Sequence, residues 1–256
     1  MKKIVAIIII IILIIAGFWL FTRKSQEPTE ESMETSQAQT VKFTTADGVE
    51  IVGKYYAPEL TPLGVVLFLH MMPVTKESWD SSARALQQAR VASLAIDLRG
   101  HGESVKKGQE QLDYQKFNDA QHQATRLDVE AALSWLQKDQ QFSLDTVTIV
   151  GASIGANLAL QALYEHPEVK KAAALSPGLH YRGIEPLPMV ENLKLDQAVL
   201  YATSKDDGDN TKETEALYNA TKAQKQWKIY DAAGHGTTML ERTDDLLPSI
   251  IEFILK

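Results

Sequence analysis

The sequence predicts an α/β fold: a mostly parallel, doubly wound sheet with helices on both faces. Three observations predict it. Short apolar runs such as Gly64–Leu69 and Val91–Ile96 read as strands buried on both sides. They alternate with stretches whose apolar residues recur every three or four positions, as in amphipathic helices. With 256 residues, 45% of them hydrophobic and 23% charged, the chain can bury one full core.

Met1-Lys2-Lys3 precedes an unbroken apolar run, Ile4 to Phe21, dominated by isoleucine. As a helix it would span about 27 Å, close to the hydrocarbon thickness of a bilayer. It is longer than a usual signal-peptide core, and Arg23-Lys24 follow in place of an A-x-A cleavage site. Residues 1–24 therefore read as a single-pass transmembrane helix and signal anchor, with the folded domain outside the cytoplasm. Residues 25–40 are polar and acidic and read as a disordered linker. The domain is expected over 41–256.

Within it, "TVKFTT" and "VEIVGKYY" flank Asp47-Gly48, a type I′ hairpin signal. Gly64–Leu69 is the first buried strand, Ser78–Arg90 a helix and Val91–Ile96 the next strand. Phe117–Lys138 reads as one long helix, with Phe117, Ala120, Ala124, Leu127, Ala131 and Trp135 on its apolar stripe. Thr146–Val150 is a strand, Ile154–His166 a helix and Val169–Leu175 a strand. A loop of some twenty residues with three prolines follows, too short for a helical lid. Ala198–Thr203 and Gln226–Tyr230 are strands around a helix at Lys212–Lys222, and the last helix lies within Thr238–Leu255. Strands alternating with helices imply parallel β-α-β units, in which function gathers at the carboxyl ends of the strands.

At one such end stands Gly151-Ala152-Ser153-Ile154-Gly155. Glycines bracketing a serine between strand and helix allow a tight turn that lifts the hydroxyl clear of the sheet. The Ile154 N–H then opens a helix, where an orphan donor and the helix dipole favour an oxyanion. A serine nucleophile needs a base, and the base needs an acid to orient it. His235, between Gly234 and Gly236 after the last strand, stands where the base is required. Ser204-Lys205-Asp206-Asp207 ends the preceding strand, and counting from the strand end favours Asp206 over Asp207. Ser104, in "DLRGHGES", lacks the bracketing glycines and following helix and reads as structural. The six histidines show no metal-ligand spacing, and no phosphate or dinucleotide fingerprint is present, so no metal or cofactor is expected. The net charge of −7, without a basic cluster, argues against nucleic acid as a partner. The chain has no cysteine, which excludes disulfides and a thiol nucleophile.

"LFLHMMP", "AIDLRGHGES", "GASIG", "ATSKDD" and "AAGHG", in that order, resemble the α/β-hydrolase superfamily, specifically its lipase, esterase and serine-aminopeptidase-like members. The resemblance runs from about Val41 to the C-terminus. It implies Ser153 as nucleophile, His235 as general base and acid, and Asp206 as its orienter. It also implies an oxyanion hole built from the Ile154 and Met72 amides, with Met71 as the other candidate. Many members carry His-Gly where this chain has His70-Met71, so a side chain there narrows the substrate pocket. An open site bordered by His70, Met71, Met72 and Ser176–Gly183 suits a small-molecule or lipid-like acyl substrate. The expected function is a serine hydrolase that cleaves a carboxylic ester, or a related acyl bond, through an acyl-enzyme on Ser153. The alternatives are an acyltransferase with the same triad and a non-catalytic tethered binding protein.

Overall fold

The structure, a computed structural model, describes residues 37–256. The expected transmembrane helix and most of the linker lie outside the described residues. Among those residues no helix is long and apolar enough to cross a membrane. The first strand, β1 (Gln39–Thr44), begins two residues before the expected domain boundary.

β1 pairs antiparallel with β2 (Val49–Tyr56) around Thr45–Gly48. The connecting turn is not type I′. Gly48 N donates to Thr45 O, and Gly48 is the one turn residue with positive φ, +89°. Asp47 is instead engaged by Arg99, Thr45 and Lys107. These bonds hold it in ordinary backbone geometry and leave the left-handed position to glycine alone.

Then come β3 (Val65–Leu69), α1 (Asp80–Gln88), β4 (Ala92–Ile96) and a small edge hairpin, β5 (Lys106–Lys107) with β6 (Glu110–Gln111). The long helix read from the sequence is two: α2 (Asp119–Gln123) and α3 (Arg126–Lys138), broken at Ala124-Thr125. The Thr125 hydroxyl bonds the His122 carbonyl, turning the chain between them. The buried stripe of α3 is Val129, Ala132, Leu133 and Leu136, one position along from the expected one. Trp135 packs sideways, stacked on Phe43 and edge-on to Tyr55. The rest follows as β7 (Val147–Ala152), α4 (Ile154–Glu165), β8 (Lys171–Leu175), α5 (Leu187–Val190), β9 (Ala198–Ser204), α6 (Asn210–Ala220), β10 (Gln224–Tyr230), α7 (Thr238–Arg242) and α8 (Leu246–Leu255). The C-terminal stretch is thus two helices where one was expected. Between β8 and β9 the helix is the four-residue α5, in keeping with the absence of a large cap.

The strand order is β10-β9-β8-β7-β3-β4-β2-β5-β6, with β1 on β2. β10, β9, β8, β7, β3 and β4 run parallel, and β2 is antiparallel to β4. Alternation along the strands feeds two cores. Val65, Leu67, Leu69 and Ile149 face α3 and α4, while Val66, Phe68 and Val150 face α1 and α8. Helices on both faces are therefore a direct consequence of strands apolar on both sides. After β3 the chain winds one way to β4 and later returns to place β7 on the other flank of β3. The crevice between the carboxyl ends of β3 and β7 is the topological switch point.

Candidate active site

Register brings the strand ends level: Leu69 lies opposite Gly151, Ala152 opposite Leu175, and Ser204 opposite Tyr230. The loops beginning at His70, Ser153, Ser176, Lys205 and Asp231 consequently share one edge. A single residue, Ser153, separates β7 from α4, and its backbone sits at φ +54°, ψ −120°, a conformation strained for any residue with a Cβ. Its N–H donates to Leu175 O at 2.9 Å. The glycine requirement is steric. A Cβ on Gly151 would lie 2.0 Å from Gly155 O, and one on Gly155 would lie 2.3 Å from Leu69 O. Ile154 is the first residue of α4, so its N–H has no partner within the helix.

His235 sits between Gly234 and Gly236, both at positive φ. Its Nδ1 lies 2.8 Å from each carboxylate oxygen of Asp207. A carboxylate only accepts, so Nδ1 carries the proton and Nε2 keeps its lone pair. The His235 loop rests on the serine turn. Gly236 N donates to Ser176 Oγ at 3.0 Å, and a Cβ on Gly236 would meet the Ala152 Cβ at 3.3 Å.

This geometry corrects the choice of acid. Asp207, not Asp206, holds the imidazole. Asp206 accepts from the Ser204 hydroxyl and, at 3.0 Å, from the Gly234 N–H, and these two bonds lower its pKa. The cause is a turn: Asp207 N donates to Ser204 O, so adjacent side chains leave the strand end in different directions. Asp206 fastens the histidine loop to β9, and Asp207 reaches the ring.

His70 does not line the pocket. It is fully buried, its Nε2 accepting from Leu98 N at 3.0 Å and its Nδ1 donating to Met71 O at 2.9 Å. It joins the turns after β3 and β4, and burial lowers its pKa to about 4. Met71 packs on the histidine loop, its Sδ 3.8 Å from Thr237 Oγ1. Met72 borders a cleft of about 330 Å³ with Ser153, Ile154, Tyr181 and Arg182. Ser104 is structural, its Oγ accepting from Val52 N at 2.9 Å.

Sequence reasoning missed the groups that brace the site. Buried Asp97 accepts from Lys76 N, Lys76 Nζ and Glu103 N, tying the turn after β4 to the segment after β3. Buried Asn157 and Asn210 hold the segment after β8. Asn157 was legible as a polar residue in the apolar first turn of the helix "IGANLALQAL"; Asn210, in the polar run "DDGDN", gave no signal.

A family model described as the alpha/beta hydrolase fold matches residues 64–214. The chain belongs to that family. Solved structures agree in fold. An esterase of Pyrococcus furiosus shares 19% identity over 85% of this chain and 91% of its own, with a TM-score of 0.69. A dienelactone hydrolase from Anabaena variabilis shares 22% identity over 85% and 95%, with a TM-score of 0.64. An acetyl xylan esterase from Paenibacillus sp. R4 shares 18% identity over 88% and 85%, with a TM-score of 0.70. Identities this low establish the shared fold. A comparison with curated proteins finds no match.

Proposed function

We infer that the protein is a serine hydrolase that cleaves a carboxylic ester through an acyl-enzyme on Ser153. The observation that carries this reading is the Asp207–His235 pair, held on a loop packed against the serine turn. His235 Nε2 takes the Ser153 proton as Oγ attacks the carbonyl carbon, and returns it to the leaving oxygen. The tetrahedral oxyanion sits between the amides of Ile154 and Met72, an arrangement worth about 3 kcal/mol per donor. Water, activated by the same imidazole, then releases the acid. The esterases and the dienelactone hydrolase among the similar folds support an ester substrate.

Labelling with a fluorophosphonate probe tests the mechanism. Wild-type protein is expected to be labelled at Ser153 and Ser153→Ala left unlabelled; wild-type protein that folds yet resists the probe overturns the reading. Competing alcohols or amines in the assay separate hydrolysis from acyl transfer. The apolar run Ile4–Phe21 supports attachment to a membrane with the domain outside the cytoplasm. Recovery of the full-length chain in carbonate-washed membranes, and protease access to the domain in intact cells, test that placement.

A further inference from the structure

Two buried asparagines fix the segment after β8. Asn157, one turn along α4 from the serine, donates to Gly178 O and Ile184 O at 2.9 and 3.1 Å and accepts from Gly178 N at 3.0 Å. Asn210, at the start of α6, donates from Nδ2 to Pro177 O at 2.9 Å, Ser176 O at 3.2 Å and Tyr181 Oη at 2.9 Å. Between them Tyr181 and Ile184 exchange backbone hydrogen bonds across Arg182-Gly183, both at positive φ, as a two-residue hairpin turn requires. The Tyr181 ring lies so close to Gly178 that a Cβ there would meet Cζ at 2.7 Å.

This network fixes the direction of the phenol proton. The Ser176 and Pro177 carbonyls can only accept, so the Asn210 amide presents its NH₂ on that side and Tyr181 Oη is an acceptor from it. The Tyr181 proton is left for another partner. Tyr181 lines the cleft together with Ser153. Burial pushes the phenol's pKa up to about 12, so it remains a donor at neutral pH.

We propose that Tyr181, anchored by Asn210, is a further hydrogen-bonding group at the reaction centre and donates to Ser153 Oγ. The proton stays on tyrosine throughout. In the free enzyme the bond orients a hydroxyl that already accepts it well, so it changes acylation little. In the acyl-enzyme Oγ is an ester oxygen, a poor acceptor that becomes a strong one as the C–Oγ bond breaks and charge gathers on it. A bond that strengthens towards the transition state accelerates that step. Tyr181 therefore favours release of the acyl group.

Stopped-flow kinetics on p-nitrophenyl acetate test this with Tyr181→Phe, which keeps the ring. The deacylation rate constant is expected to fall about tenfold and the acylation constant to change less than about twofold. Burst amplitude counts competent sites, so partial unfolding drops out of the ratio. Asn210→Asp, which turns the anchor into an acceptor and draws the phenol proton away from Ser153, is expected to slow the same step. Equal loss in both constants, or no change in either, overturns the proposal. The proposal rests on the acyl-enzyme chemistry above, and the two fail differently. Wild-type protein with neither burst nor probe labelling removes both; a wild-type burst with an unchanged ratio in Tyr181→Phe removes this one alone.

Discussion

Asp207 meets the His235 Nδ1 with both carboxylate oxygens at 2.8 Å, its side chain only 11% exposed where that of the imidazole is 36% exposed. The neighbouring Asp206 carries the same charge and has no contact with the ring; it binds the Ser204 hydroxyl and Gly234 N–H. The two carboxylates therefore separate in their effects. Asp207→Asn removes the group that fixes the tautomer and is expected to lower kcat by about 10³- to 10⁴-fold with little change in stability. Asp206→Ala is expected to lower kcat only several-fold and to lower the urea midpoint slightly, through the freed loop. Steady-state kinetics with a p-nitrophenyl ester, beside urea titrations, check both. Equal loss in the two variants would overturn the assignment.

Strain at Ser153 gives a second expectation. Its positive φ costs about 1–3 kcal/mol and is imposed by β7 and α4 on either side. Ser153→Gly relieves it, at the cost of some backbone entropy in the unfolded comparison. The variant is expected to be inactive and about 1 kcal/mol more stable, a rise in Tm of about 2–4 °C. Ser153→Ala is expected to be equally inactive with no such rise. Thermal unfolding followed by circular dichroism distinguishes them.

Local chemistry made much of this legible before any coordinates. The serine turn could be read because two glycines bracket a serine where an apolar strand passes into a helix, a pattern complete within five residues, and His235 because it too stands between glycines at a strand end. Asp207 could not be separated from Asp206, because the choice depends on how a turn aims two adjacent side chains. His70 was misplaced for a related reason: its partner, Leu98 N, is brought to it only by the pairing of β3 with β4. The break between α2 and α3 was hidden for another reason: the apolar spacing runs on through Ala124, and nothing in it registers the bond from the Thr125 hydroxyl to the His122 carbonyl.

The close approach of α4 to β3 predicts unequal tolerance among glycines. A Cβ at Gly155 would lie 2.3 Å from Leu69 O and 2.7 Å from His70 O, both backbone atoms. Gly155→Ala is therefore expected to cost about 3 kcal/mol. It should also lower kcat in the folded fraction, because α4 carries the Ile154 N–H. Gly108→Ala is the comparison: its φ is +59° but nothing lies within 4 Å of the added methyl, so about 1 kcal/mol is expected. Urea midpoints measure both; similar losses would mean that α4 can retreat from β3.

The buried histidines predict how stability follows pH. His70 and His101 meet edge-on with ring centres 4.9 Å apart, and His101 stacks on Tyr114 at 3.8 Å. Burial lowers both pKa values to about 4, the neighbouring ring adding to the shift at His101. Unfolded, each titrates near the ordinary value of about 6.5. Between those values the unfolded chain holds a proton that the native protein does not, so stability falls as the pH drops from 6.5 towards 4, and neither group contributes to the slope above that window. One histidine accounts for about 2 kcal/mol between pH 6.5 and 5. His101→Phe, which keeps an aromatic ring against Tyr114, removes one of the two titrations. Its unfolding free energy, measured in urea at pH 7, 6 and 5, is expected to fall with acidification by about 2 kcal/mol less than that of the wild type. Carboxylates titrating in the same range are common to both proteins and cancel in the difference, so parallel pH profiles would show that His101 takes up its proton equally in the folded and unfolded chain, and would overturn the expectation.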